Sequence, residues 1–320
     1  MIDCFLLKNG SVRQIEPSGL GQALLDPEVV AWVDLEAPTV DEGEFLRQTF
    51  GLHPLAIEDC LSPKRLSPKL DDYGSYLFVV VHGIDHNLPP GVLDTLEFDM
   101  FMGTNFIATS HLKPSISISN TKRECLQQPS IMASPDILAH RIIDGQVDDM
   151  FPPVEEEMER LAQLKREILL GPQPYHLEAI LEMEEGLLNL DRILEPELSV
   201  LQAIARRGEP FLRASTIAYF RDIQDHLGRL REMVDMVGNM TERNLSVYLS
   251  VTANRTSDFT KALSLAAMMF LPLTLIVGIY GMNFKNMPET EWKYGYFIVL
   301  AVVLLLGAGL AVFYRKKRWI

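Results

Sequence analysis

Two stretches of the chain carry no charge for the length of a bilayer crossing. Residues 262–281 read ALSLAAMMFLPLTLIVGIYG, and residues 296–314 read YFIVLAVVLLLGAGLAVFY. About 20 consecutive apolar residues span a hydrocarbon core as a helix. Uncharged runs of this length are rare as buried helices of soluble folds, so both are expected to cross a membrane. Arg315, Lys316, Lys317 and Arg318 follow the second run, and such a basic cluster belongs on the cytoplasmic side. Two spans then put both termini in the cytoplasm, with residues 282–295 as an external loop.

Ahead of the first span, apolar residues recur at Phe220, Ile223, Leu227, Leu230, Val234 and Val237. The alternating steps of three and four make one packed helix face. The same stripe then reaches Thr241, Asn244, Tyr248 and Val251, so it becomes more polar toward the span. The segment from Phe211 to Leu271 has no proline. It reads as one continuous helix of about 60 residues, on the order of 90 Å, running into the bilayer with Pro272 tolerated inside the span. Two helices precede it. Residues 154–170 end at Gly171, Pro172 and Pro174, and residues 175–207 end at Gly208 and Pro210, with a kink or break expected at Pro196.

The first 150 residues alternate instead. Short β-rich runs at 30–35, 76–81, 95–101 and 105–109 are interleaved with helical patterns at 42–49 and 54–60, and a further helix is expected at 137–147. The fold class is therefore α+β: an N-terminal α/β cytosolic domain at 1–150, long helices at 151–261 that include the start of the stalk, two transmembrane helices, and a basic tail at 315–320.

Composition narrows the function. A formal charge of −14 excludes nucleic acid as a natural partner and suits a protein that handles cations. Cys4, Cys60 and Cys125 are too few and too scattered for a disulfide framework or a structural zinc site. The N-terminus lacks a basic region followed by an apolar stretch of signal-peptide length. There is no GxxxxGK[ST] loop, GxSxG elbow or HExxH, so no enzyme class is indicated. His82 and His86, four apart at the end of a strand, read as ordinary surface histidines.

At the outer end of the first span stand Tyr280-Gly281-Met282-Asn283-Phe284 and then Met287-Pro288-Glu289. Gly281 and Asn283 are common helix-ending residues. Repeated around an axis, however, Asn283 amides form a ring of neutral oxygens. Such a ring grips a cation through its water shell, which Mg²⁺ sheds reluctantly.

These residues resemble the CorA family of magnesium channels, whose signature is the YGMNF run with MPE beside it. Tyr219 to Asp222 with Asp225-His226, Tyr248-Leu249-Ser250, FLPLT at 270–274, His53-Pro54-Leu55 with Glu58-Asp59, and Ile143-Asp144 with Asp148-Asp149 are similar to family sequence in family order. The resemblance implies a funnel-shaped homopentamer in the plasma (inner) membrane. A closed ring is needed in any case, because one chain with two spans cannot enclose a pore. It further implies a selectivity filter at Gly281, Met282 and Asn283, and pore-lining positions at Ser257, Thr260, Leu263, Leu271 and Thr274. The family often has methionine in place of Leu271 and asparagine in place of Ser257. Regulatory Mg²⁺ between subunits is implied at Asp59 facing Asp222 of the next copy, with Glu58 and Asp144 nearby. The expected function is uptake of Mg²⁺ driven by membrane potential, with Co²⁺ and Ni²⁺ as further candidates. The rivals are a zinc transporter of the same architecture and a membrane-tethered metal sensor without transport.

Overall fold

The computed structural model describes residues 1–89, 91–208, 210–282, 287 and 292–317. It divides into two compact units, Met1–Val247 and Tyr248–Ile320.

The first unit is built on one sheet. Its strands are β1 (Ile2–Lys8), β2 (Ser11–Ile15), β3 (Val30–Glu36), β4 (Lys69–Asp72), β5 (Tyr76–Ile84), β6 (Thr95–Gly103) and β7 (Phe106–His111). They lie in the order β2-β1-β3-β7-β6-β5-β4. Only β3 and β7 run parallel, and the other neighbours are antiparallel. All nine residues of β5 are buried, as befits a strand covered on both faces. Side chains alternate across it: Leu77, Val79 and Val81 join one apolar cluster, and Tyr76, Phe78 and Val80 join the other.

Helices cover both faces. The one-turn α1 (Leu20–Ala23), with α2 (Val40–Phe50) and α3 (Pro54–Leu61), belongs to the cluster of Val33, Phe78, Val80 and Phe101. The opposite cluster takes in α4 (Ile116–Gln127), α5 (Pro135–Asp148), α6 (Phe151–Leu170), α7 (Pro174–Arg207) and the start of α8 (Ile217–Tyr280). Their starts follow local chemistry. Thr39 and Glu42 form a reciprocal capping box on α2, and His53 Nδ1 accepts the Leu55 N–H at 3.2 Å ahead of Pro54 on α3.

The long-helix expectation is met. Phe220, Ile223, Leu227, Leu230, Val234 and Val237 are all buried. Thr241 and Asn244 continue the buried stripe, and the Asn244 amide donates to the Leu161 carbonyl of α6 at 2.8 Å. Two expectations are corrected. No break occurs at Pro196, because α7 runs unbroken from Pro174 to Arg207. A proline forfeits one helical hydrogen bond, and the buried residues Ile193, Leu194, Val200 and Leu201 hold the helix down on either side of it. His82 is not a surface residue either. It is buried, with Nε2 2.8 Å from the Leu66 carbonyl and Nδ1 3.3 Å from the Thr95 hydroxyl.

The second unit contains the C-terminal part of α8 and all of α9 (Gly295–Lys316). Both helices are long and apolar enough to cross a membrane, and few residues of their most apolar stretches are fully buried within the chain.

Candidate functional site

Two sets of residues carry the candidate chemistry, and α8 contributes to each. The first lies in the N-terminal unit. Asp144 and Asp148 are one turn apart on α5, and Asp222 and His226 are one turn apart on α8. His226 Nδ1 is 3.3 Å from Asp148 Oδ1, and its Nε2 is 3.6 Å from Asp222 Oδ2. Asp144, Asp148 and His226 each offer a ligand atom within 4.8 Å of the others. Burial pushes the Asp144 carboxyl above the usual range, with His140 opposing the shift and Asp148 adding to it.

Asp136 fixes this geometry. It stands in the first turn of α5 and accepts hydrogen bonds from the Arg213 backbone N–H at 3.1 Å and the Thr216 hydroxyl at 2.5 Å, just before α8 begins. Burial opposes its ionisation, but Arg213, Ser134 and Thr216 together lower its carboxyl to about 2. One turn further along α5 is His140, whose ring lies 5.3 Å from that of Tyr219 and 5.9 Å from that of Phe220 on α8.

Glu58 and Asp59 lie on α3. Asp59 Oδ2 is 2.6 Å from Lys69 Nζ, which is also 2.9 Å from Asp71 Oδ2. Burial opposes the charge on Lys69, and hydrogen bonds to Asp59 and Asp71 raise its pKa. Glu58 is exposed. Within one chain, then, Asp144 and Asp222 share His226 as a neighbour, whereas Asp59 is engaged by Lys69. Asp148 and His226 were not chosen as ligands from the sequence. Their signal was the pair of i, i+4 spacings, Asp144/Asp148 and Asp222/His226, each of which sets two metal-capable side chains on one helix face.

The second set lies in the C-terminal unit. Leu265, Met269, Pro272, Leu273 and Ile276 of α8 are buried or half-buried, and so are Val299, Val303, Gly307, Leu310, Ala311 and Tyr314 of α9. These are the facing sides of the two helices: a Cβ at Gly307 would sit 3.5 Å from Leu273 Cδ1. Each residue turns the helix by about 100°. On that count Ser257, Thr260, Ser264, Ala267, Leu271, Thr274 and Gly278 form a stripe on the opposite side, with Leu263 and Gly281 at its edge. All nine are exposed. Leu271, Thr274, Gly278 and Met282 line one groove along it. Leu271 and Thr274 therefore fall on the side of α8 that α9 leaves bare, while Ser257, Thr260 and Leu263 precede the first covered residue, Leu265, in a stretch from 252 to 264 that is exposed all round. Ser264 and Gly278 lie on the same stripe. Of the triplet expected to form the filter, Gly281 and Met282 follow the last residue of α8, and Asn283 lies outside the described residues.

Comparison with known proteins fixes the family. Residues 27–317 match the family model described as CorA-like Mg²⁺ transporter protein. The chain belongs to that family. It is 33% identical over 316 residues to YfjQ of Bacillus subtilis, covering 98% of this chain and 95% of that one. It is 28% identical over 298 residues to the cobalt/magnesium transport protein CorA of Thermotoga maritima, covering 92% and 85%. The fold is that of the complete CorA magnesium transporter structure from Methanocaldococcus jannaschii, with a TM-score of 0.85 at 16% identity over 100% of this chain and 99% of that one.

Proposed function

We propose that this CorA-family Mg²⁺ transporter works as a homopentameric channel in the plasma (inner) membrane, with both termini cytoplasmic. The observation that carries this reading is the two-sided α8. One side is covered by α9, and the other bears the hydroxyls of Ser257, Thr260, Ser264 and Thr274 and remains exposed. A single copy with two spans cannot enclose a path, so these bare faces are satisfied when identical copies turn them toward a common axis.

In this reading Gly281, Met282 and Asn283 form the filter at the outer mouth, and the Asn283 amides hold Mg²⁺ through its retained water. Leu263 and Leu271 form apolar constrictions that close by dewetting, while Thr274, Thr260 and Ser257 supply polar rings. Ser257 and Leu271 stand where the family often has asparagine and methionine, so the inner polar ring is shorter here. Transport needs no nucleotide: a divalent ion gains about 4.6 kcal/mol per 100 mV. That gain supports roughly thousandfold accumulation.

Regulation follows from the carboxylates. Mg²⁺ between Asp59 of one subunit and Asp222 of the next, with Glu58 and Asp144 nearby, cancels their repulsion and holds the ring closed. α8 carries both Asp222 and Leu271, which links that site to the constriction.

Uptake of Mg²⁺, Co²⁺, Ni²⁺ and Zn²⁺ into proteoliposomes, together with the native mass of the detergent-solubilised complex, tests the proposal. A five-chain complex that conducts Mg²⁺ supports it. A monomer or dimer as the sole species overturns the pore, and Zn²⁺ flux without Mg²⁺ flux overturns the substrate.

A further inference from the structure

The sheet face beneath α3 holds two carboxylates with no cation committed to them. Glu97 and Asp99 are two residues apart on β6 and so point to the same face. Asp99 lies opposite Val80 on β5 and Ser110 on β7. From above, the Cys60 thiol of α3 hydrogen-bonds to Ser110 and Asp99. Cys60, Glu97, Asp99 and Ser110, with Arg65, His111 and Lys113, wall a cavity of about 60 Å³.

Asp99 is 5% exposed, and its Oδ1 has no hydrogen-bond partner. Glu97 uses Oε2 to accept the Leu66 N–H at 2.5 Å. Every cation in the wall is engaged elsewhere. Arg65 forks onto both oxygens of Asp94 at 2.6 and 2.7 Å, and Lys113 pairs with Asp85. His111 lies 2.6 Å from the Lys113 carbonyl and 3.3 Å from Asp34. Lys69, two strands from Asp99 in the same cross-strand row, is held by Asp59 and Asp71. Burial and the nearby Glu97 and Asp59 push the Asp99 carboxyl well above the usual range. Burial likewise pushes up Glu97.

A buried carboxylate oxygen without a donor, beside a second carboxylate and a hydroxyl in a water-sized cavity, is the donor set of an oxygen-preferring metal ion. We propose that this cavity binds one divalent metal ion within each subunit, in direct contact with Asp99 and Glu97, with the Ser110 hydroxyl and water completing its shell. Direct ligation sets the selectivity. An ion held by Asp99, Glu97 and Ser110 oxygens must give up the waters those oxygens replace. Mg²⁺ does this reluctantly, which favours Mn²⁺ here. The preference is opposite to that of a filter that grips hydrated ions, so this site answers to a different metal from the one transported.

Full-length protein in detergent, carrying Asp59→Asn, Asp144→Asn and Asp222→Asn to remove the proposed intersubunit ligands, is titrated with Mn²⁺. Free Mn²⁺ is read by electron paramagnetic resonance. The expected result is one Mn²⁺ retained per chain against about tenfold more Mg²⁺. Adding Asp99→Asn should abolish retention, and adding Glu97→Gln should weaken it by roughly tenfold or more. Thermal unfolding confirms that each variant is folded, and if Asp99→Asn is not, Glu97→Gln decides. The proposal is overturned if the triple variant retains no Mn²⁺, or if Asp99→Asn and Glu97→Gln bind it as the triple variant does. Because Asp59, Asp144 and Asp222 are already replaced and flux is not the readout, the result stands apart from the transport reading.

Discussion

Replacing Glu197 by glutamine should stabilise the N-terminal unit at pH 8 and leave it unchanged near pH 4. Glu197 sits on α7, is fully buried, and offers both carboxylate oxygens to the His82 backbone N–H at 3.4 Å. β4 begins at Lys69, opposite Val80, so β5 runs on past it and α7 supplies the acceptor. Burial raises the Glu197 carboxyl from 4.5 to about 8, the single His82 N–H opposing the shift only weakly. Below about pH 4.5 both the folded and unfolded states hold the proton, and the group does not affect stability. Between 4.5 and 8 the unfolded chain releases a proton that the folded chain keeps, so stability falls as pH rises. A shift of about 3.5 units at 1.36 kcal/mol each sets an upper bound of roughly 5 kcal/mol by pH 8. Glutamine is neutral throughout and still accepts the His82 N–H, so Glu197→Gln removes that loss. At about 2–4 °C per kcal/mol for a unit of this size, Tm should rise by roughly 10 °C at pH 8. Thermal unfolding of the full-length protein in detergent from pH 4 to pH 8.5 measures it. A Tm difference that does not grow with pH, or a variant less stable at pH 8, refutes the reasoning.

Three further outcomes are expected. Asp136→Ala should lower stability at pH 7 by about 3–5 kcal/mol, because it strands Arg213 and Thr216; its contribution is present above the unfolded carboxylate pKa and lost as pH falls toward about 2, so the gap in Tm should close in acid. Asn283→Ala should abolish selective Mg²⁺ uptake while leaving the native mass of the complex unchanged, and unaltered selectivity would place the filter elsewhere. Asp222→Ala should lose Mg²⁺-dependent protease protection and inhibition of flux, and a variant that titrates like the parent removes Asp222 from the sensor.

The elements legible in the sequence are those with strong periodicity. The α8 stripe from Phe220 to Val237 could be followed residue by residue, since each position repeats at helical spacing and buries the same face. The two apolar helices were marked by length alone. β1 and β2 were harder: their partners lie in β3 and in each other, and half-exposed residues such as Leu6, Leu7 and Val12 give no clean alternation. α4 has a weak apolar face made partly of Ser117 and Thr121, both buried, which reads as polar in sequence. His82 looked exposed because its neighbours Asp85 and His86 are polar, yet the close of β5 is covered by α7. At the candidate site, Asp144 and Asp222 were named one by one. Their convergence with Asp148 and His226 depends on Asp136 pinning the start of α8, a contact across 77 residues of chain that no local pattern encodes.

The chemistry of the bare side of α8 bears on what it faces. The Thr260 hydroxyl donates to the Thr256 carbonyl at 2.9 Å, and the Thr256 hydroxyl donates to Thr252 at 3.0 Å. Each hydroxyl hydrogen is thus used inside the helix, leaving only lone pairs to face outward. Both residues precede the apolar run that begins at Ala262, and outward lone pairs there suit the water shell of a cation, whose waters turn their hydrogens away from the ion. The covered side is built the other way, with Leu265, Met269, Leu273 and Ile276 packed toward α9. Small residues at Ser257, Ser264, Ala267 and Gly278 let neighbouring helices approach closely. The stripe also alternates along its length, with hydroxyls at Ser257, Thr260 and Ser264, apolar Leu271, then Thr274. A helix meant only to anchor the domain needs no such alternation. A path that wets at some levels and closes at others does.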